Sequence, residues 1–257
     1  MQTQKDIISY NIFSNSKWQE VYETVLCAIW NNNDYVETIG ARYFFNPVTD
    51  HIMSNISTLF DIKKAAAMYF WYKSGDRLDH SIVSYFDEYK RCIDESHPQF
   101  NSNYGYYAYT SNGLQNCIKH LLKDKNSRQA CFCINNNEAM ASIDKLCTNV
   151  IHFFIRDNSL KMVVQMRSSN FITLLPYDAF MFSVFYMQVY KELRHTYTNL
   201  QTNLIDMQVA SLHFYRQNLD NVKMLAEPII PTRIIDFDAN DCQEKLENYL
   251  LDKLIEL

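Results

Sequence analysis

Apolar residues recur at helical spacing through Trp18, Val21, Tyr22, Val25, Leu26 and Ile29, and the asparagine run at 31–33 closes that segment. "YVETIGARYFFNP" then reads as a strand ended by Pro47, with Gly40 as a bulge or a point of close backbone approach. A helix is predicted over residues 57–74 with Gly75 as its stop. The stretch 76–112 is mixed and tyrosine-rich. "LQNCIKHLLKDKNSRQACFCINN" predicts a helix, a polar turn and a strand, with Cys131 and Cys133 at alternate positions of a buried strand. Two apolar runs, 150–155 and 160–166, flank the polar "RDNS" and predict a β-hairpin. "PYDAFMFSVFYMQVYKELR" is apolar almost all round, as befits a helix buried on most sides. A strand and helix follow in "TNLIDMQVASLHFYRQNLDNVKML", then a proline-containing strand at 228–237 and an amphipathic C-terminal helix. There is no repeat, linker or charge block, so the expectation is one α+β domain over residues 1–257.

Composition narrows the chemistry. The chain has 257 residues, 47% hydrophobic and 21% charged, which is enough apolar surface for a folded core. Its formal charge of -5, without a Lys/Arg run, argues against a nucleic-acid polymer or an anionic membrane surface as partner. A small anion held by a few arginines stays open. Only four glycines are present, and neither GxGxxG nor a Walker sequence occurs. Seven scattered cysteines, without a CxxC pair or a secretory leader, point to free thiols in a reducing cytoplasm. Cys131 and Cys133 are too close for a zinc knuckle, so no metal is expected, and no apolar run reaches the length of a membrane span.

The hairpin draws attention to Cys147. A turn centred on Asp157 and Asn158 places Cys147 across from Arg167 or Ser168. A neighbouring guanidinium favours the reactive thiolate. Taken alone, however, a free cysteine is more often a small packed hydrophobe.

The segments "SNYG", "KNSR", "LCTN", "IRD", "MRSS" and "SLHFY", in this order and spacing, resemble the thymidylate synthase superfamily, in particular its bacteriophage deoxycytidylate (dCMP) hydroxymethylases. The similarity runs over about residues 35–219 and is strongest in "LCTNVIHFFIRDNSLKMVVQMRSSN". It implies a large mixed sheet flanked by helices, packed back to back with a second copy in a homodimer. It also implies covalent catalysis: a cysteine adds to C6 of a pyrimidine nucleotide so that C5 attacks a one-carbon unit from 5,10-methylenetetrahydrofolate. By position Cys147 is the nucleophile, followed by Thr148-Asn149 as in the hydroxymethylase branch. Arg167 and Ser168 match the pair that holds the nucleotide phosphate, to which a guanidinium fork is suited. The matched stretch closes at Asn170, grouped here with the substrate-binding residues. His213 and Tyr215 fit a His-x-Tyr that holds the sugar 3′-hydroxyl, and Tyr104 with Gly105 fits a Tyr-Gly ahead of the active-site turn. Asp178 stands where thymidylate synthases carry an asparagine that reads uracil. A carboxylate there accepts from the exocyclic amine of cytosine, although a helix cap is the plainer use of an aspartate after a proline. Cys147 and Asp178 are thus the expected catalytic pair.

Three departures stand against the pattern. Met68, in "MYFW", occupies the place of a family glutamate that handles water and protons, and no acid lies between Asp61 and Asp76. The paired arginines that reach a partner subunit's phosphate become Arg128 and Gln129, and an early arginine loop becomes "WNNND". The resulting expectation is a C5 hydroxymethylase of dCMP or CMP. The alternatives are a relative using another pyrimidine or electrophile, and a nucleotide-binding protein without turnover.

Overall fold

A computed structural model describes residues 35–45, 61–215, 217 and 242–255. The helix expected around Trp18–Ile29, the loop at 30–34, the helix after residue 215 and the strand at 228–237 lie outside the described residues.

The hairpin organises the rest. Asp157 and Asn158 both take left-handed backbone angles, φ 51° and 56°, which two-residue turns of the I′ kind require and which Asp and Asn tolerate. The turn joins β3 (Thr148–Arg156) to β4 (Ser159–Asn170), paired without slip from Arg156 with Ser159 to Val150 with Gln165. The register then shifts between Val150 and Thr148, so that Thr148 meets Met166. On its other side β4 runs parallel to β5 (Ile205–Tyr215). A parallel pair needs a crossover, and α4 (Leu175–Arg194) lies between the two strands in the chain. β1 (Tyr35–Phe45) and β2 (Cys131–Cys133) add antiparallel to β5 and β3, giving a mixed sheet in the order β1-β5-β4-β3-β2.

One face of the sheet is the core. Ile151, Phe153, Leu160, Met162, Val164, Met207 and Val209 are buried there. α4 contacts β4, α1 (Ile62–Ser74) and α2 (Gly113–Lys123) pack on α4, and a short α3 (Asn137–Ala141) follows β2. Hence nearly every residue of α4 from Leu175 to Tyr190 is buried, as its all-round apolar character predicts. α1 also meets α5 (Cys242–Ile255) through Tyr69 and Lys73, both bonded to Glu247, at 2.7 and 2.5 Å. On the opposite sheet face Val150, His152, Phe154 and Val163 are half-buried, and the His152 and Phe154 rings stack 5.9 Å apart.

Two local expectations are corrected. β2 is a three-residue edge strand that turns Cys131 and Cys133 to solvent and Phe132 inward, so these cysteines are not core residues. Gly40 is neither bulge nor close approach: the β1–β5 pairing passes through it unshifted, and a Cβ there would meet nothing within 4 Å. What it supplies is φ 71°, a left-handed angle unfavourable for other residues. α1 starts at Ile62, where the Asp61 side chain accepts from Lys63 N at 2.8 Å, and ends at Gly75 in the left-handed conformation.

Candidate active site

The register shift at the start of β3 sets Cys147 opposite Arg167, whose backbone N–H donates to the Cys147 carbonyl at 2.8 Å. The Arg167 side chain then turns back along the chain. Its Nε donates to the Leu146 carbonyl and its Nη2 to that of Lys145, both at 2.7 Å. A planar fork makes this two-carbonyl clamp possible. The clamp holds the two residues before the thiol, and the remaining guanidinium N–H groups stay available to an anion. Arg167 itself is exposed.

Electrostatics at the thiol run against the expectation of a resting thiolate. Burial pushes Cys147 up to about 11; Arg167 pulls it down but is outweighed, and Asp178 and Asp144 raise it further. Desolvation exceeds a single cation because that cation is exposed, where solvent screens it. Asp178 lies in the first turn of α4, buried, and burial alone pushes its carboxyl up to about 8. Below that pH it is a neutral acid with one donor and acceptor capacity, rather than the carboxylate anticipated. The N-cap of α4 is Leu174 and makes no side-chain bond, so Asp178 is not a cap.

"SNYG" assembles the pocket. Asp144 accepts from Ser102 N at 2.7 Å and from the Ser102 hydroxyl. Asn103 donates through Nδ2 to the carbonyls of Trp71 and Asp76, at 2.9 and 3.1 Å, fixing the end of α1. The Tyr104 hydroxyl accepts from Thr148 N at 3.2 Å, next to the thiol. Gly105 is required by close approach, since a Cβ there would lie 1.6 Å from the Tyr72 carbonyl oxygen. The four residues therefore join α1, the loop before Cys147 and the start of β3.

His213 and Ser168 come together, with Ser168 Oγ 3.3 Å from His213 Nδ1. The half-buried His213 ring is held below its usual range, chiefly by burial, with Arg167 adding in the same direction. Tyr215 sits edge to face with His213, ring centroids 5.2 Å apart. Asn170 shapes the turn into α4, where its Oδ1 accepts from Ile172 N and Thr173 N, at 3.0 and 3.2 Å. Arg128 is not brought to the thiol within one chain. It is exposed beside the turn end of β3, where Arg156 reaches the Ser127 carbonyl, about 25 Å along the strand from Cys147 at ordinary strand rise. Met68 is fully buried.

Two residues not singled out from the sequence share the pocket. The phenols of Tyr72 and Tyr89 are buried and sense both Tyr104 and Asp178; burial, first, holds both well above the ordinary phenol range. The legible signal for Tyr72 was its place one helical turn after Met68, on the same face of α1. Among the described residues no group of three or more His, Cys, Asp or Glu side chains is set to hold a metal, and no helix is long and apolar enough to cross a membrane.

The mixed-sheet α+β domain thus carries a cysteine, an arginine and a serine at the open end of a hairpin, with a buried carboxyl near enough to raise the thiol. The chain matches the thymidylate synthase family model over residues 25–253 and belongs to that family. It is also similar to the deoxycytidylate 5-hydroxymethyltransferases of Enterobacteria phages T4, T2 and T6, each 26% identical over 113 residues. Those alignments cover 40% of this chain and 45% of each relative, so the match spans less than half the length of the curated relatives.

Proposed function

We propose that the protein hydroxymethylates C5 of a cytidine monophosphate, with Cys147 as the nucleophile. Membership of the thymidylate synthase family supports C5 chemistry on a pyrimidine nucleotide. The observation that carries the choice of cytosine is Asp178, a buried carboxyl pushed up to about 8. In its neutral form it donates O–H to the N3 lone pair of cytosine and accepts from the exocyclic amine. Uracil can also pair with the neutral carboxyl, through N3–H and its carbonyl oxygen, but that oxygen is a much weaker base than cytosine N3 for the acid proton.

In the proposed reaction the Cys147 thiol loses its proton, the Sγ–C6 bond forms, and the C5–C6 π electrons make C5 a carbon nucleophile. C5 gains a one-carbon substituent and gives up its hydrogen to solvent as a proton. Water adds to that carbon, and loss of Sγ from C6 restores the ring. Methylenetetrahydrofolate, when bound, would supply the one-carbon unit at the formaldehyde oxidation level and would leave as tetrahydrofolate when its bond to that carbon breaks, ahead of the addition of water. The residues fit such a hydrogen-bonding donor at one point: Ser169 Oγ and Thr173 Oγ1, between Ser168 and Asp178, are buried hydroxyls without a partner among the described residues. Arg167 and Ser168 hold the phosphate, and His213 and Tyr215 hold the sugar. A homodimer built on the half-buried sheet face would add Arg128 from the second copy.

Incubation with dCMP, CMP and dUMP plus the folate, followed by mass spectrometry of the nucleotide, tests this. Hydroxymethylated dCMP or CMP is expected, and a product from dUMP alone would overturn the role given to Asp178. Met68 in place of a carboxylate favours a second reading, nucleotide binding without turnover. In that case calorimetry detects binding while no product forms.

A further inference from the structure

Adding water to the one-carbon substituent requires a water held inside a pocket built largely from aromatic rings. The polar groups there are few and most are committed. Cys147 bonds to C6, Asp178 faces the base, and the Tyr104 hydroxyl accepts from Thr148 N at 3.2 Å and keeps only its own proton to donate. The Tyr72 hydroxyl is different. It is buried and has no hydrogen-bond partner among the described residues; Tyr89 is near enough to act on it but outside bonding geometry.

The surroundings fix where that hydroxyl lies. The Tyr72 ring is 5.4 Å from the Tyr104 ring and stacks at 6.4 Å on Phe185, two helical turns beyond Asp178 on α4. A helical side chain leans back over the preceding turn, so Tyr72 covers the turn of Met68, where α1 has no carboxylate. A second orphan hydroxyl, Thr148 Oγ1, is on the residue that Tyr104 accepts from, next to the thiol. Tyr104 therefore touches both residues bearing the orphan groups. A buried hydroxyl with no protein partner is an anchor for an ordered water or a ligand atom, since such groups are rarely left unpaired.

We propose that Tyr72 is a positioning residue, its hydroxyl anchoring the water that completes the hydroxymethyl group. Thr148 Oγ1 serves as the second anchor. Burial holds the Tyr72 phenol well above its usual range, so it stays protonated and acts as a hydrogen-bonding group rather than as a base. This inference rests on the proposed hydroxymethylase reading. It assigns Tyr72 to the last step only, leaving attack at C6 and loss of the C5 hydrogen to the other residues.

Tyr72→Phe removes one oxygen that makes no protein hydrogen bond. The melting temperature is expected to hold or rise, because an unpaired buried polar group costs stability. Tritium release from C5-tritiated dCMP with the folate, and nucleotide affinity by calorimetry, should stay within threefold of the unaltered protein. Formation of the hydroxymethyl product should fall about 100-fold, the scale ordinary for a reactant that loses its positioning. Equal product formation in Tyr72→Phe and the unaltered protein would sink the inference and leave the hydroxymethylase reading intact. A parallel fall in product, tritium release and melting temperature would make Tyr72 structural and sink it equally. If the unaltered protein neither releases tritium nor forms product, the underlying reading fails and this inference with it.

Discussion

The sharpest consequence of the site's electrostatics concerns Cys147 without nucleotide. Its thiol is pushed to about 11 from an ordinary 9.0, because burial outweighs the Arg167 cation. Two pH units correspond to about a hundredfold less thiolate. At pH 7.5 the thiolate fraction is roughly 0.03%, against roughly 3% for an unperturbed thiol of that ordinary value. Site-resolved alkylation by iodoacetamide, read by peptide mass spectrometry, measures this, with exposed Cys133 as an internal reference. The Cys147 rate should climb about tenfold per pH unit from 7 to 10, whereas a thiol with a lowered value would level off early. A Cys147 rate that plateaus below pH 8 would refute the claim that burial dominates, and would restore Arg167 as the controlling charge.

Two further substitutions test the site. Asp178 has a folded-state value of about 8 against 3.8 when exposed, so the native state binds the extra proton. Stability from this group is complete below about pH 4 and is lost as pH rises to 8. Asp178→Asn should therefore flatten the fall in melting temperature between pH 5 and 8.5, and it should raise activity on dUMP relative to dCMP. An unchanged pH profile would contradict the burial argument. Gly105→Ala drives a Cβ to within 1.6 Å of the Tyr72 carbonyl oxygen, so α1 and the Tyr104 turn must separate. A loss of more than about 3 kcal/mol in chemical denaturation is expected, the range of severe backbone clashes.

Much of this architecture was legible because hairpins and buried helices leave strong local patterns. "RDNS" located the turn, and counting back from it placed Cys147 within one residue of its observed partner. The single-residue shift between Thr148 and Val150, which selects Arg167 over Ser168, leaves no local mark. Cys131 and Cys133 misled because alternation reports two faces of a strand but not whether a layer covers either. The thiol's protonation was also out of reach: the adjacent cation is visible in the chain, whereas the buried phenols that sense the thiol, Tyr89 and Tyr104, lie on segments far from Cys147. Tyr72 itself looks like core until its hydroxyl is seen to lack a partner.

Everything turns on whether Cys147 activates C5 of a cytosine nucleotide. Tritium release to water from C5-tritiated dCMP, CMP and dUMP, with and without methylenetetrahydrofolate, measures that step directly. Release from dCMP or CMP that disappears in Cys147→Ser is the predicted result. Release from none of the three, or undiminished release in Cys147→Ser, would contradict the account.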